Sequence, residues 1–223
     1  MFRKLVEADF NKTAQESCFE YAGGYLTRTA RLLTLRGTIA GYPYRSDFSN
    51  PTAVGDDILA LNIEDKTIPI VLLIDSPGGE VFSGFNLYDI IRSSEAPIIT
   101  VGQTVASMAI PVFLAGSKRY ALPHSRFMLH LPRVTYIGQT LDAEELRIHG
   151  NLLQDIKESL VECYIERGVT AGLKEGASKS QIRKKILIDI DRDVWFTAKD
   201  AQAYGLVEEI LHRQNILQIA GSV

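Results

Sequence analysis

Two segments of this chain carry residue types that suit nucleophilic acyl transfer. Asp75–Gly79 reads Asp-Ser-Pro-Gly-Gly and follows an apolar run, and Val105–Ala109 places Ser107 where a new helix is expected to begin. A serine hydroxyl is a weak nucleophile at neutral pH, so it needs a histidine base within hydrogen-bond reach and a carboxylate that orients the base. His130 and Asp193 complete such a set. The residue types therefore suggest a Ser/His/Asp site.

The choice of base among the four histidines follows from their neighbours. His130 ends an apolar segment just upstream of Pro132, which favours an extended backbone at a strand end. His124 stands in a Pro-His-Ser turn. His149 lies within a predicted helix and His212 near the C-terminus, and we expect solvated roles for these two. His130 is therefore the preferred base, with a packed structural histidine as the alternative interpretation.

The backbone amides of Gly79 and Met108 are the candidate donors to an oxyanion. Glycine lets the backbone approach a substrate closely, and parallel α/β sheets collect such loops at the C-terminal ends of their strands. Each residue also has an ordinary interpretation: Ser107 as a helix N-cap, the Gly-Gly pair as a tight turn, and Asp193 as part of a solvated acidic run. The chain lacks Gly-x-Ser-x-Gly, so the α/β-hydrolase motif does not apply.

Apolar runs that alternate with amphipathic segments predict an α/β fold with repeated β-α-β units. Ile68–Ile74 is continuous and β-branched, as expected for a strand buried on both faces in a parallel sheet. Pro111 fits a helix only in the first turn, which places Ser107 at or near that helix's N-terminus. The predicted strands are Leu32–Gly37, Ile68–Ile74, Pro97–Gly102, Arg126–Leu129 and Val207–Leu211, and the predicted helices are Ala53–Asn62, Ser83–Arg92, Ser107–Ala115, Leu141–Arg167, Ser180–Leu187 and Thr197–Tyr204.

The remaining segments are predicted to be irregular. Gly41–Pro51 reads as a loop, Arg133–Thr140 as extended polar chain and Gly168–Ser178 as a break. Residues 1–30 read as an arm or a loosely packed entry segment. Within the long helix, one apolar stripe at helical spacing is formed by Leu152, Ile156, Leu160 and Tyr164.

Bulk composition excludes several classes of protein. The chain has 223 residues, 46% of them hydrophobic, and a net charge of −3, which suits one globular domain and gives no basic excess for nucleic acid or an anionic membrane surface. Two cysteines, Cys18 and Cys163, have neither a disulfide framework nor metal-site spacing and are expected to be free thiols. No apolar run is long enough to span a bilayer, and the N-terminus lacks a signal-peptide pattern. We expect a cytoplasmic protein.

Four blocks in order resemble the ClpP family, the proteolytic subunit of the ATP-dependent Clp protease, over roughly residues 30–212. The blocks are Ser76–Gly79, Gly102–Met108, Leu122–Pro132 and Asp191–Asp193 leading to Ala203–Val207. The resemblance implies a serine endopeptidase in which Ser107 is the nucleophile, His130 the general base, Asp193 the orienting acid, and Gly79 and Met108 the oxyanion-hole amides. It implies no metal and no bound cofactor.

The same resemblance carries expectations for fold and assembly. It implies a crotonase-like (ClpP-type) fold of repeated β-β-α units in a single domain over 1–223, with 1–30 as a poorly matched arm or propeptide. Gly138-Gln139 and the following helix resemble the handle that interlocks two rings. Family members form seven-membered rings paired into a double ring, and a hexameric AAA+ unfoldase of the ClpX, ClpA or ClpC kind feeds them unfolded protein.

Some positions depart from the family pattern. Arg133–Tyr136 stands where a glycine-rich start of the substrate-binding strand is usual, so the cleft is expected to be narrower or to have another preference. Val71 and Leu73 stand where aromatic residues often form the unfoldase-docking pocket, so docking is expected to be altered. The segments 41–51 and 168–179 are longer than usual.

Three other functions are consistent with parts of this pattern. A weakly active structural or regulatory subunit of a mixed ring would share the fold, but such relatives usually lack a triad residue. An acyl-CoA enzyme of the crotonase type would use oxyanion amides without Ser107 and His130. A signal-peptide-peptidase relative would use a Ser/Lys pair and usually a membrane anchor. The matched serine, histidine and aspartate favour the active protease subunit.

Overall fold

The computed structural model describes residues 31–40, 51–134 and 140–211, in which strands and helices alternate except for two consecutive helices after the fourth strand. The predictions for residues 1–30, 41–50, His212 and Gly138-Gln139 lie outside these residues. In chain order the described elements are β1 (Arg31–Arg36), α1 (Pro51–Glu64), β2 (Ile70–Ser76), α2 (Val81–Ser93), β3 (Ile98–Ala106), α3 (Ala109–Leu114), β4 (Lys118–Leu129), α4 (Ala143–Glu166), α5 (Lys179–Asp189), β5 (Val194–Thr197), α6 (Ala198–Tyr204) and β6 (Glu209–Ile210).

The strands form one mixed sheet in the order β1-β2-β3-β4-β5, and β6 also pairs with β4. The pairs β1–β2, β2–β3, β3–β4 and β4–β6 are parallel, and β4–β5 is antiparallel. Consecutive parallel neighbours joined through α1, α2 and α3 are β-α-β units, whose crossovers are right-handed as a rule and so place the helices on one face. The predicted α/β class is confirmed.

Strand β2 shows how the sequence pattern produces this layering. All five residues of Ile70–Ile74 are buried, but they belong alternately to two clusters. Ile70, Leu72 and Ile74 pack into the main core under the helices, whereas Val71 and Leu73 join Ile99 and other apolar residues on the opposite face. The predicted burial on both faces is therefore confirmed.

The start of β4 differs from its prediction. A strand was expected only over Arg126–Leu129, but pairing with β3 begins at Lys118 and continues after a bulge. Gly102 pairs with Ala121 while Thr104 pairs with Arg126, so residues 122–125 form the bulge, and its Pro-His-Ser sequence resembles a turn. The Ser125 hydroxyl closes the bulge, accepting from Leu122 N at 2.8 Å and donating to Gly102 O at 2.6 Å.

Two further differences have simple physical reasons. Strand β5 (Val194–Thr197) was not predicted, because four residues are too few to show the alternating pattern of a strand. Of the predicted stripe on α4, Ile156, Leu160 and Tyr164 are buried, whereas Leu152 is 40% exposed. The first half of α4 is exposed, so its apolar residues extend past the core. The predicted break over Gly168–Ser178 is confirmed.

Replacing Ser125 tests whether the bulge holds the register of β4. Ser125→Ala leaves the Leu122 amide and the Gly102 carbonyl without their buried partner, which we expect to cost about 1–3 kcal/mol of unfolding free energy. Ser117→Ala is the control. Ser117 is exposed, lies just before β4 and donates a hydrogen bond to the Ile98 carbonyl at the start of β3. Its replacement should lower the unfolding free energy by no more than about 0.5 kcal/mol. Chemical denaturation of both variants measures the difference, and equal stabilities would contradict this role of Ser125.

Candidate active site

Ser107 lies directly after β3 in a strained backbone conformation. Its φ is +56°, in the left-handed region that costs a residue with a side chain about 1–2 kcal/mol. Two hydrogen bonds hold it there: its N–H donates to Met128 O at 2.9 Å, and its C=O accepts from Ile110 N at 3.0 Å. Strain that the surroundings enforce is a common feature of functional positions. The left-handed turn presents the hydroxyl at the C-terminal edge of the sheet.

The Ser107 hydroxyl does not cap helix α3. The helix begins at Ala109, later than predicted, its N-cap is Met108, and no side chain caps it. The Ser107 Oγ instead lies 2.6 Å from His130 Nε2. The interpretation of Ser107 as only an N-cap is therefore wrong.

His130 follows the last residue of β4, as the sequence predicts. The neighbouring Leu131 N–H donates to Ile190 O at 3.0 Å, which ties this segment to the end of α5. The His130 side chain is 17% exposed. Its Nδ1 is buried and has no hydrogen-bond partner among the described residues. The ring is thus aligned on Ser107 through Nε2 but is not hydrogen-bonded on its other side.

Asp193 reaches the site because β5 pairs with β4. Leu129 lies opposite Val194, so the residues just beyond this pair, His130 and Asp193, come together at the sheet edge. Asp193 Oδ1 lies 3.6 Å from His130 Nδ1, beyond hydrogen-bond range. The same Oδ1 accepts a hydrogen bond from Arg133 Nη2. The structure brings the three predicted residues together but leaves the histidine–carboxylate contact open.

The electrostatic surroundings keep His130 neutral. Burial lowers the pKa of His130 below its ordinary value of 6.5, and the Arg133 guanidinium lowers it further. Asp193 acts in the opposite direction but does not cancel these effects. Neutral imidazole is the form that accepts a proton, so the site is prepared for general base catalysis at neutral pH.

Two backbone hydrogen bonds to Ile39, one on each side of Gly79, hold the Gly78-Gly79 turn. Ile39 N donates to Gly78 O at 2.8 Å and Glu80 N donates to Ile39 O at 2.7 Å. In a parallel bridge of this kind the amide of the middle residue, Gly79, points away from the partner strand. The Gly79 N–H has no acceptor among the described residues and is available to a ligand.

Both glycines of the turn are required by space and by backbone angle. Gly78 has a φ of +89° and Gly79 one of +153°. A Cβ on Gly78 would lie 2.7 Å from the Met108 N, and one on Gly79 would lie 2.0 Å from the Ile39 carbonyl oxygen. The turn therefore lies against the Ser107–Met108 peptide, which places the two predicted oxyanion donors on neighbouring segments.

Packing and a buried hydroxyl fix the two donor segments. The Met108 side chain is buried against Gly84 of α2, where an added Cβ would lie 2.2 Å from Met108 Cγ. Ser76 is fully buried; its Oγ donates to Gly37 O at 2.6 Å and accepts from Gly78 N at 3.1 Å. Sequence reasoning did not identify Ser76 as part of the site, although its place before Pro-Gly-Gly was a signal that it closes the turn.

The other candidate residues lie apart from this cluster. His124 is exposed in the β4 bulge and His149 lies in the first half of α4. Asp189 is bonded to Lys185 and Tyr204, and Asp191 is exposed. Among the described residues no three potential metal ligands cluster, and no helix there has the length and apolarity to cross a membrane. Cys163 is a free, buried thiol.

A serine, a neutral histidine and a carboxylate lie together at the C-terminal edge of parallel strands, as in the site of a serine hydrolase, except that the histidine–carboxylate hydrogen bond is not made. Comparison with known proteins gives the family. The family model described as Clp protease matches residues 26–214. The chain therefore belongs to the Clp protease family.

Individual relatives agree with this assignment. The ATP-dependent Clp protease proteolytic subunit 2 of Thermobifida fusca is 36% identical over 84% of this chain and 86% of its own length. The protein of that name in Corynebacterium efficiens is 33% identical over 91% of this chain and 94% of its own. The ATP-dependent Clp protease proteolytic subunit of Nephroselmis olivacea is 34% identical over 69% and 68%. The expected family membership is confirmed.

Replacing Gly79 tests the turn beside Ser107, the predicted nucleophile. Gly79→Ala adds a Cβ that cannot coexist with the Ile39 carbonyl, so the turn must shift and its amide must turn away. Loss of one oxyanion donor lowers turnover roughly 100- to 1000-fold in related chemistry, and we expect a loss of this order in kcat for a fluorogenic peptide. Gly176→Ala, in the segment between α4 and α5, is the matched control: Gly176 also has a positive φ, of +89°, but an added Cβ there meets nothing, so this variant should retain wild-type kcat. Wild-type kcat in the Gly79→Ala protein would rule out this amide as a donor.

Proposed function

We propose that this chain is a serine-type endopeptidase and the proteolytic subunit of an ATP-dependent Clp protease. The observation that carries the proposal is the 2.6 Å contact between Ser107 Oγ and His130 Nε2, made by a serine in a left-handed turn. Membership of the Clp protease family supplies the reaction class, the hydrolysis of peptide bonds. Ser107 is assigned as nucleophile, His130 as general base and Asp193 as orienting acid.

The reaction follows from these positions. Ser107 Oγ attacks the scissile carbonyl carbon while its proton passes to His130 Nε2. The amides of Gly79 and Met108 stabilise the negative charge on the carbonyl oxygen. The C–N bond then breaks as His130 returns the proton to the leaving amine, which leaves an acyl group on Ser107. A water molecule, deprotonated by His130, hydrolyses this ester and regenerates the serine.

Membership of the family supports a finer fold assignment than the α/β class. We assign the chain to a single crotonase-like domain of repeated β-β-α units, with residues 1–30 as an arm or propeptide; the family match itself begins at residue 26. The exposed first half of α4, which carries Leu146, Ile148 and Leu152 on its surface, is proposed as part of the handle. Apolar side chains on a projecting helix suit contact with another subunit.

Assembly and partners follow from the family. Its members work as oligomeric rings with Clp ATPases, and we extend this to heptameric rings, a double ring and a hexameric unfoldase that delivers unfolded protein. We propose a cytoplasmic location, because an ATP-driven partner needs a compartment that supplies ATP. Val71 and Leu73 lie in a buried apolar cluster with Tyr120, and neither supplies an aromatic ring of its own, so we propose an altered docking pocket.

A weakly active subunit of a mixed ring is the second candidate. The 3.6 Å gap between His130 Nδ1 and Asp193 Oδ1 favours it in the isolated chain, because an unoriented base is a weaker base. The intact serine–histidine contact argues for the active subunit. Peptidase activity of the purified full chain distinguishes the two.

Removal of the nucleophile tests the proposed function. Ser107→Ala deletes one hydroxyl and little volume, so cleavage of a fluorogenic peptide should fall at least about 1000-fold while the native mass of the particle stays unchanged. Ser159→Ala, which removes an exposed hydroxyl from α4, is the control and should cleave at the wild-type rate. Cleavage that persists in the Ser107→Ala protein would show that another group is the nucleophile.

A further inference from the structure

We propose that Arg133 is a positioning residue that competes with His130 for Asp193 and thereby restrains the peptidase. The proposal rests on the function assigned above and adds a residue that the family resemblance does not assign. Arg133 lies three positions after His130 in the same segment, where the sequence departs from the usual glycine-rich pattern. Its guanidinium reaches the carboxylate that the histidine needs.

The competition is visible at a single atom. Arg133 Nη2 donates a hydrogen bond to Asp193 Oδ1, and the nearest approach of His130 Nδ1 to Asp193 is to the same Oδ1, at 3.6 Å. His130 Nδ1 is meanwhile buried without a partner among the described residues. A buried donor without an acceptor is unfavourable, so the site has a driving force to close this contact once the arginine releases the carboxylate.

Charge adds to the effect of geometry. Among the described residues, the charged groups that face His130 are Arg133 from its own segment and Asp193 from the chain between α5 and β5, while the turn after β3 contributes the neutral Ser107. The imidazole becomes positive when it takes the serine proton, and Asp193 stabilises that charge. A guanidinium bound to Asp193 offsets the carboxylate charge and repels the imidazolium. Both effects oppose the transfer of the Ser107 proton to His130.

The restraint is weak enough to be released. The side chains of Arg133 and Asp193 are 61% and 44% exposed, and an exposed ion pair contributes little in water because solvent and salt screen it. A small free-energy change therefore moves Asp193 from the arginine to the histidine. The pair acts as a two-state contact, with Asp193 Oδ1 held by Arg133 in one state and by His130 in the other.

The test compares kcat, KM and pH–rate profiles of the purified full chain and two variants on a fluorogenic peptide. Arg133→Gln removes the charge, and we expect kcat on the neutral plateau to rise about two- to fivefold with KM unchanged. The same change raises the pKa of His130, so the acid limb of the profile should move to higher pH. Arg133→Lys keeps the charge and should keep the wild-type acid limb.

Lys66→Gln is the matched control. It makes the same charge change in another exposed ion pair, that of Lys66 with Glu95. Lys66 lies before the N-terminal end of β2 and therefore at the edge of the sheet opposite the site. Its kcat and acid limb should equal those of the wild type. Native mass measured for each protein separates a change in assembly from a change in the site.

Three results would overturn the proposal. A fall in kcat for Arg133→Gln at unchanged native mass would show that the arginine supports Asp193 rather than competing for it. Unchanged kcat and acid limb would show that the ion pair has no role. A shift that Lys66→Gln reproduces would assign the effect to net charge. Each of these leaves Ser107-dependent cleavage intact, whereas cleavage that does not need Ser107 would contradict the proposed function itself.

Discussion

The contact between Ser107 Oγ and His130 Nε2 is the interaction on which the site depends, and it joins the ends of two neighbouring parallel strands. At 2.6 Å it leaves no room for a slip in register between β3 and β4, because a shift by one residue would turn the side chains to the other face of the sheet. The left-handed backbone at Ser107, pinned by Met128 O, aims the hydroxyl at the histidine.

Several features elsewhere in the chain serve this contact. The bulge at residues 122–125, closed by Ser125, sets where the second half of β4 pairs. Pairing of β5 with that half brings Asp193 to the same edge, and Ser76 holds the Gly-Gly turn against the Ser107–Met108 peptide. The helices contribute their buried residues to the main core on one face of the sheet. Ser107, His130 and the Gly79 and Met108 amides, the groups of the proposed mechanism, are thus positioned by backbone pairing rather than by long loops.

The sequence predicted the elements that have a clear local pattern of apolar residues or a proline. Continuous apolar runs gave β2 and β3, and Pro111 correctly limited where the helix after Ser107 begins. The pattern did not predict β5 or the first half of β4, because a strand of four residues and a strand broken by a bulge show no clear alternation of apolar and polar residues. Nor did it give the Arg133–Asp193 contact, which exists only because an antiparallel pairing joins segments 60 residues apart. Tertiary contacts of exposed side chains leave no local signal in the sequence.

Reaction of the purified full chain with a fluorophosphonate probe, with the modified residue mapped by peptide mass spectrometry, tests the central assignment most directly. An activated serine beside a neutral histidine reacts with such a probe, whereas an ordinary serine does not. We predict a single adduct on Ser107 and none in the Ser107→Ala protein. An adduct on another residue, or no adduct in a preparation that cleaves peptide, would contradict the assignment of Ser107 as the nucleophile.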